Sequence, residues 1–561
     1  MQGKSVSAKP ALIKNGITVV SGIDPASRAE KSVDFFSLKE RTLYFCPSPI
    51  FGYGLSRLLS RLEKEAPDSA VLCIESDKEL YELTKINIDA SLFKNKRLHI
   101  TNICEGIKLF SLVCDIWGAR AFRRVETIRL TGGWQLSPDL YKSLYDCLRR
   151  EIANDWSNAM TLAKLGRLYI RNALRNLAVI TQFSSVVNLS YGRKPVLVLG
   201  AGPSLDDVLD ALYRNFSHAA YAANALNSAG NRPFNIICAD TCLGALKDRN
   251  VVPDLVVILE SQHWNLRDFI GCKGWNVPVA ADLSALPSSV SILGKEGYLF
   301  MTPWTTLRIF NRLNKKGLLP TVIQPLGSVG LTAVEIARGL TKGIIICAGL
   351  DFSFTADMYH CKSAPDHRTK LNTQNRFKGI LNNIAYAAHS YAVSSKSGFP
   401  VFSSSVMRNY LNLFKQEFCG DSRLFDIEGS GLSLGLKTLS MEEALYLLTN
   451  NPNIVPQEDT ETKEEKGVRS PYLRANKTDI TYFLECEIKL LRELRCLLTG
   501  EGEADRERLC VLVDECDYLW AHFPDYSGGR KGNLEDTSFL NRIRAELDPM
   551  IKLIEQTMKE I

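Results

Sequence analysis

The stretch PVLVLGAGPSLD, residues 195–206, decides the fold of this chain. Its apolar run, residues 196–199, stops at Gly200, which predicts a strand buried on both faces of a parallel sheet. Gly200 and Gly202 permit a tight turn, and Ser204 is a suitable N-cap for the helix that follows. Together these elements present backbone N–H groups to an anion, as in nucleotide-phosphate sites. Because the third glycine of the dinucleotide motif is absent, a structural turn without a ligand stays open as the alternative.

Further along the chain, each of three predicted strands ends close to an acidic residue. These three acids are Asp240, Glu260 and Asp351. These strands cover residues 235–239, 255–259 and 343–348. Strands that alternate with helices predict a doubly wound α/β domain, here over roughly residues 190–420. Because the carboxyl ends of parallel strands meet in one crevice, we expect the three acids beside the glycine turn. There they could bond hydroxyl groups, hold a metal or act as a base.

Before this region, a strand over 42–46, the segment FGYGL at 51–55 and a strand over 70–74 predict a Rossmann-like domain. Glu75 follows the second strand at the place of a ribose-binding acid. A nucleotide or S-adenosylmethionine pocket and a fold without a ligand are both compatible with this pattern. The expected division is a Rossmann-like N-terminal domain with a long connecting helix over 1–188, a central catalytic α/β domain over 189–450, a charged linker over 451–475 and a helical C-terminal domain over 476–561.

Composition excludes several classes of protein. The chain has 561 residues, 45% of them hydrophobic, and a net charge of +6, which argues against a dedicated nucleic-acid binder. Its 15 cysteines are scattered and show no metal-ligand spacing, which favours a reducing compartment. No signal peptide and no apolar run of the roughly 18 residues that a membrane span needs is evident. We therefore expect a cytoplasmic protein with no metal site, no membrane span and no nucleic-acid partner.

The segment after Asp351 is rich in titratable groups. His360 and His367 titrate near neutral pH and are candidates for general acid or base catalysis. Basic residues between positions 362 and 376 could neutralise a phosphate. The alternative is a surface loop whose histidines have no chemical role.

In combination, these motifs resemble the motility-associated factor family of bacterial flagellin glycosyltransferases, which transfer nonulosonic acids. The resemblance is carried, in order, by residues 196–206, 239–241, 251–260, 325–337 and 349–360. The same core is similar to that of bacterial sialyltransferases and of an archaeal hydroxymethylpterin diphosphokinase. The FGYGL segment and the helical C-terminus also look like parts of the flagellin glycosyltransferases.

This resemblance implies transfer of a CMP-activated nonulosonic acid, of the sialic, pseudaminic or legionaminic type, to Ser or Thr of flagellin. The CMP-sugar would be the donor substrate, and no further cofactor would be required. Asp351 would sit at the reacting centre, and either Asp351 or His360 would act as the base. The residues implied to hold the nucleotide or line its crevice are Gly200, Ala201, Gly202, Pro203, Ser204, Asp240, Thr241, Glu260, Gly327, Ser328 and Val329.

Two tyrosines that sialyltransferases place on the leaving phosphate correspond here to Gly330 and Ser353. This departure keeps open a flagellin-binding assembly factor without catalysis. A third interpretation is a diphosphokinase that uses ATP and Mg²⁺, with Asp240, Glu260 and Asp351 as metal ligands. The helical C-terminus and the additional N-terminal domain argue against this third interpretation.

Overall fold

The computed structural model describes residues 12–118, 120–217, 232–294, 296–303, 307–382, 390–450, 476–500, 505–524 and 534–561. The chain divides into two compact units. The first unit contains residues 1–166 and 520–533, and the second contains residues 167–519 and 534–561. The expected linker over 451–475 lies outside the described residues.

The first unit is built on a four-stranded parallel sheet with the strand order β5-β4-β3-β6. Its strands are β1 (Leu12–Lys14), β2 (Ile17–Val20), β3 (Thr42–Pro47), β4 (Ala70–Ile74), β5 (Leu98–Thr101) and β6 (Arg124–Thr127), of which β1 and β2 form a separate antiparallel pair. Its helices are α1 (Pro25–Asp34), α2 (Leu55–Glu65), α3 (Lys78–Asn87), α4 (Gly106–Trp117) and the start of α5 (Pro138–Asn176).

Alternate residues of β3 contribute to different cores, because successive side chains of a strand point to opposite faces. Tyr44 and Cys46 pack in one core with the four buried leucines of α2. Leu43 and Phe45 pack in the other core with residues of α4 and α5. The sheet is therefore covered on both faces, as the expected Rossmann-like arrangement requires.

The second unit contains a nine-stranded parallel sheet with the order β17-β16-β13-β8-β9-β10-β11-β12-β7. Its strands are β7 (Ser184–Ser185), β8 (Val196–Leu199), β9 (Asn235–Ala239), β10 (Leu255–Ile258), β11 (Val279–Asp282), β12 (Gly297–Phe300), β13 (Ile345–Ala348), β16 (Leu424–Ile427) and β17 (Lys437–Leu439). A separate antiparallel hairpin consists of β14 (Ser390–Ser394) and β15 (Pro400–Ser404). Every residue of β8, β9, β10 and β13 is buried, so the apolar runs in the sequence correspond to central strands.

The described helices of the second unit lie between these strands along the chain or follow the last of them. They are α6 (Leu205–Ser217), α7 (Leu243–Asp248), α8 (Pro287–Ile292), α9 (Arg308–Lys315), α10 (Val329–Leu340), α11 (Pro365–Thr373), α12 (Ser405–Phe418), α13 (Met441–Asn450), α14 (Lys477–Thr499), α15 (Arg506–Glu515) and α16 (Thr537–Glu560). Helix α10 packs on β8, β9, β10 and β13, and eight of its residues are buried. A mixed α/β fold with a large doubly wound sheet is therefore confirmed.

The C-terminal helices α14 to α16 lie in the same compact unit as this sheet. Arg312 of α9 makes a bidentate ion pair with Glu487 of α14, at 2.7 and 2.8 Å. Glu487 is only 1% exposed, and it also accepts a hydrogen bond from the Tyr518 hydroxyl. Within the described ranges, none of the helices is both long and apolar enough to cross a bilayer.

Candidate functional site

The site lies at the topological switch point of the large sheet, where β8 is flanked by β9 on one side and by β13 on the other. Here the turns that follow β8 and β13 touch each other. The Gly200 N–H donates to the Ala348 carbonyl at 2.8 Å, and the Gly202 N–H donates to the Gly349 carbonyl at 2.8 Å. A methyl group on Gly202 would lie 2.5 Å from Oδ2 of Asp351, so only glycine allows this approach.

Asp351 braces the first turn through Ser204. Its Oδ2 accepts the Ser204 N–H at 2.7 Å, and its Oδ1 accepts the Ser204 hydroxyl at 2.5 Å. The side chain is buried, and this burial raises the pKa of Asp351, although the hydrogen bonds from Ser204 oppose the shift. Both oxygens of Asp351 are thus engaged with Ser204, and its expected role at the reacting centre stays a prediction.

The same contacts reduce the number of backbone N–H groups in this turn that are available to a phosphate. The N–H groups of Gly200, Gly202 and Ser204 all donate to acceptors within the chain, and Pro203 has no N–H. Among the described residues, the Ala201 N–H is the one amide of this turn with no such acceptor. The expectation that several amides of this turn face an anion is thus corrected to one amide, that of Ala201.

A second turn, over residues 327–329, precedes helix α10. Gly327 has φ +68°, a conformation that favours glycine, and the side chain of Ser328 makes no capping hydrogen bond. The ring of Tyr410 lies beside this turn, because a methyl group on Gly327 would be 3.0 Å from its Cε1. Val329 begins the helix, whose N-terminal end carries partial positive charge.

The two positions where sialyltransferases carry tyrosines are Gly330 and Ser353, and both are packed inside the fold of this chain. A methyl group on Gly330 would lie 2.5 Å from the Leu350 side chain, so there is no room for a larger residue. Ser353 is buried and donates its hydroxyl to the Asp351 carbonyl at 3.1 Å.

Two other tyrosines approach this region, Tyr359 from the motif stretch 349–360 and Tyr410, which sequence analysis did not single out. Tyr359 packs against Phe354, with ring centroids 4.8 Å apart. Burial raises the pKa of Tyr359, and Asp366 and Tyr410 raise it further. No motif marks Tyr410, since it lies on α12, more than fifty residues after Asp351.

An acidic pair lies at the end of β9, the strand next to β8. Asp240 is 2% exposed, and its Oδ1 accepts the Thr241 N–H at 2.9 Å and the Thr241 hydroxyl at 3.3 Å. The same hydroxyl lies 3.4 Å from Oδ2 of Asp268, which is partly exposed. Oδ2 of Asp240 is buried and has no hydrogen-bond partner among the described residues.

Burial and the charge of Asp268 raise the pKa of Asp240 to about 7. Burial also raises the pKa of Asp268 to about 6, with a smaller contribution from Glu260. Glu260 itself accepts the Gln262 N–H at 2.9 Å. Sequence analysis identified Asp240, Thr241 and Glu260 but missed Asp268, because no strand end marks its position.

Asp240, Glu260 and Asp351 do not assemble into a metal site. In the part of the chain that the structure describes, no group of three or more His, Cys, Asp or Glu side chains could hold a metal ion. Asp351 is bound to Ser204, whereas Asp240 and Glu260 lie with Asp268. The residues present therefore do not fit the Mg²⁺ ligand set that the diphosphokinase interpretation requires.

His360 follows Tyr359, with ring centroids 5.2 Å apart. Its Nδ1 is buried without a hydrogen-bond partner among the described residues, and burial lowers its pKa. A histidine with a lowered pKa is neutral at pH 7 and can accept a proton. His367 also has a buried Nδ1 and a lowered pKa.

The basic segment expected as a loop over 362–376 is largely helical, since α11 covers Pro365–Thr373. Two of its cations are already paired, Arg368 with Asp248 and Lys370 with Asp366. These charges are thus less available to a phosphate than the sequence suggested.

Three comparisons relate this geometry to known proteins. Residues 171–357 match the family model described as "6-hydroxymethylpterin diphosphokinase MptE-like". An uncharacterized protein of Treponema pallidum (strain Nichols) is 27% identical over 586 residues, which cover 99% of this chain and 96% of that protein. The solved structure of a Maf glycosyltransferase from Magnetospirillum magneticum AMB-1 superposes with a TM-score of 0.50 at 14% identity, and covers 99% of this chain and 85% of the other.

The family model covers the glycine turn, the acidic pair and Asp351, whereas the structural match extends over both units. At 14% identity, the structural match concerns the fold. In its fold this chain resembles a Maf glycosyltransferase, with a central part that is similar to the MptE-like family.

Proposed function

We propose that this chain is a glycosyltransferase that transfers a CMP-activated nonulosonic acid to Ser or Thr hydroxyls of flagellin. The observation that carries the proposal is the crevice at the switch point of a sheet that belongs to a Maf-like fold. Open α/β sheets bind nucleotides in this position. The motif resemblance over residues 196–360 supplies the donor and acceptor classes.

In this proposal, the nucleoside lies beside Thr241 and Asp268, which are both partly exposed. Their oxygens accept hydrogen bonds from ribose hydroxyls, with the buried Asp240 carboxyl bonded to Thr241. The phosphate lies by the Ala201 N–H and the N-terminal ends of α6 and α10, where the helix dipoles favour negative charge.

The reaction breaks the bond between the anomeric carbon and the phosphate oxygen, and that oxygen keeps the electron pair. The acceptor hydroxyl forms the new bond to the anomeric carbon and gives its proton to neutral His360. Hydroxyl groups of Tyr359 and Tyr410 donate hydrogen bonds to the departing phosphate in place of the two missing tyrosines. Asp351 acts as a positioning residue, since it shapes the turn through Ser204.

Co-expression with a flagellin and with the enzymes that make the CMP-sugar tests this proposal by intact-mass measurement of the flagellin. The wild-type chain is expected to add mass increments of one nonulosonic acid, and H360Q is expected to reduce them at least tenfold. H99Q, a histidine substitution in the first unit, is the matched control and keeps the increments. Unmodified flagellin with the wild-type chain would contradict the proposal.

The match to the MptE-like family model favours one other candidate, a pyrophosphate transfer from ATP to a pterin alcohol. That reaction would depend on Mg²⁺ held by carboxylates. The engagement of Asp351 with Ser204 argues against this candidate.

A further inference from the structure

The first unit contains a cavity of about 560 Å³ at the carboxyl edge of its own sheet. Phe45 and Pro47 from β3 and Glu126 and Thr127 from β6 form part of its lining. This volume falls within the range of about 300–1,000 Å³ that is usual for small-molecule sites. The proposed glycosyl transfer makes no use of this cavity.

The cavity lies at the topological switch point of the smaller sheet. The chain passes from β3 to β4 on one side, and β6 later pairs with β3 on the other side. A crevice therefore opens between the segments that follow β3 and β6, which is where open α/β sheets bind ligands.

The ribose-binding position that the sequence suggested in this unit is closed. Glu75 is buried, and its Oε2 accepts the Ser48 hydroxyl at 2.6 Å. Its other oxygen, Oε1, accepts the Asp77 N–H at 3.2 Å. Glu75 is thus held inside the fold by Ser48 and Asp77, so a ligand of this unit is directed to the side of β6.

Aromatic rings and two cations line that side. Trp134 and Tyr145 lie in the wall, and the Arg129 guanidinium lies 3.9 Å from the centroid of the Trp134 ring. Arg129 and Lys142 are exposed, and neither forms an ion pair with a described residue. Of the two acids in the lining, Glu126 is neutralised by Lys39 at 2.7 Å.

The remaining acid, Asp139, lies in the first turn of α5, which also contributes to the lining. Among the described residues, two cations and one carboxylate without an ion-pair partner thus line the cavity, and the N-terminal end of a long helix adds partial positive charge. This balance of charges favours the binding of an anion in the cavity. The rings favour a flat, apolar group, because stacking on aromatic side chains stabilises such groups.

We infer that this cavity binds an anionic ligand with a flat ring, of the size and chemistry of a nucleoside monophosphate. The ring contacts the aromatic wall, and the phosphate contacts Arg129 and Lys142. This site is separate from the one proposed for the sugar donor, so either can fail without the other.

Separate calorimetric titrations of the full chain with AMP, with adenosine and with inorganic phosphate test this inference. AMP is expected to bind at least tenfold more tightly than adenosine or phosphate, since it alone uses both the rings and the cations. The double variant R129Q/K142Q is expected to weaken AMP binding at least tenfold, and W134L to weaken AMP and adenosine alike. The control K64Q/K94Q removes two exposed charges of the same unit outside the cavity and leaves the affinity unchanged.

Three results would overturn the inference. They are absence of AMP binding to the wild-type chain, equal affinity for AMP and adenosine, and AMP binding that R129Q/K142Q does not affect. Thermal unfolding of each variant without ligand checks that the substitutions leave the fold intact.

Discussion

Asp351 and Ser204 follow neighbouring strands on the two sides of the switch point, and two hydrogen bonds of 2.7 and 2.5 Å join them. The carboxylate accepts both donors of Ser204 in the place where the sequence predicted an anionic ligand. The chain thus supplies its own anion to this part of the turn. The geometry of this turn is consequently fixed before any nucleotide binds.

Replacement of Asp351 by Ala is expected to destabilise the fold. The Ser204 N–H and the Ser204 hydroxyl would both lose their acceptor inside the fold. Leaving buried polar groups unsatisfied costs about 1–3 kcal/mol. Urea denaturation of D351A measures this loss, and D357A, at an exposed position, is the control. A free energy of unfolding equal to that of the wild-type chain would show that Asp351 does not brace the turn.

Stability near neutral pH is expected to depend on Asp240. Its pKa is about 7 in the folded chain and near 3.8 in the unfolded chain, so between these values the folded state binds more protons. Stability contributed by the protonated carboxyl is therefore lost as the pH rises through this range. D240N should be more stable than the wild-type chain at pH 8, and this difference should shrink towards pH 4.

Asp421 gives a control of opposite sign for this pH profile. Despite its partial burial, hydrogen bonds and charges from Arg423 and Arg338 lower its pKa to about 2. D421N should therefore be less stable than the wild-type chain at neutral pH, and the difference should shrink towards pH 2. Thermal unfolding over pH 4–8 measures the Asp240 effect, and a pH-independent difference for D240N would contradict the assigned shift.

Removal of one partner from the buried pair of Arg312 and Glu487 is expected to destabilise the second unit strongly. R312M leaves Glu487 buried without its partner, which costs about 3–5 kcal/mol. The double variant R312M/E487M should recover most of this loss. R495M removes an exposed pair with Asp548 and should cost less than about 1 kcal/mol. A double-mutant cycle with no coupling between positions 312 and 487 would contradict this interpretation.

Gly202 is expected to tolerate no side chain. A methyl group there would lie 2.5 Å from Asp351 Oδ2 and 2.7 Å from the Gly349 carbonyl oxygen. G202A should lower the melting temperature and weaken nucleotide binding together, because the turn must move. G339A is the matched control, since a methyl group there meets no atom within 4 Å and alanine favours a helix by about 1 kcal/mol. Wild-type stability of G202A would show that the two turns are loosely packed.

Sequence reasoning succeeded where the signal was local. The strand over 70–74, the strand over 196–199 and the helix after Ser204 have the expected positions, because each is a continuous or periodic apolar pattern. The pattern Ser440-x-x-Glu443 likewise predicts a capping box, and Ser440 and Glu443 do exchange hydrogen bonds at the start of α13.

The missed features depend on long-range contacts or weak patterns. Ser204 and Asp351 are 147 residues apart, so no local pattern could show that the carboxylate occupies the turn. Asp268 was missed for a similar reason, since it lies in a segment between strands and contacts Thr241 only in the folded chain. Strand β12 begins with glycine and β7 has two serines, neither of which gives a strand signal.

Calorimetric titration of the full chain with CMP tests the central claim most directly. We predict binding of CMP at the switch point with the same affinity in the presence and absence of Mg²⁺, and a loss of at least tenfold in T241V. Binding of ATP that requires Mg²⁺, with no heat from CMP, would contradict the claim and favour the diphosphokinase.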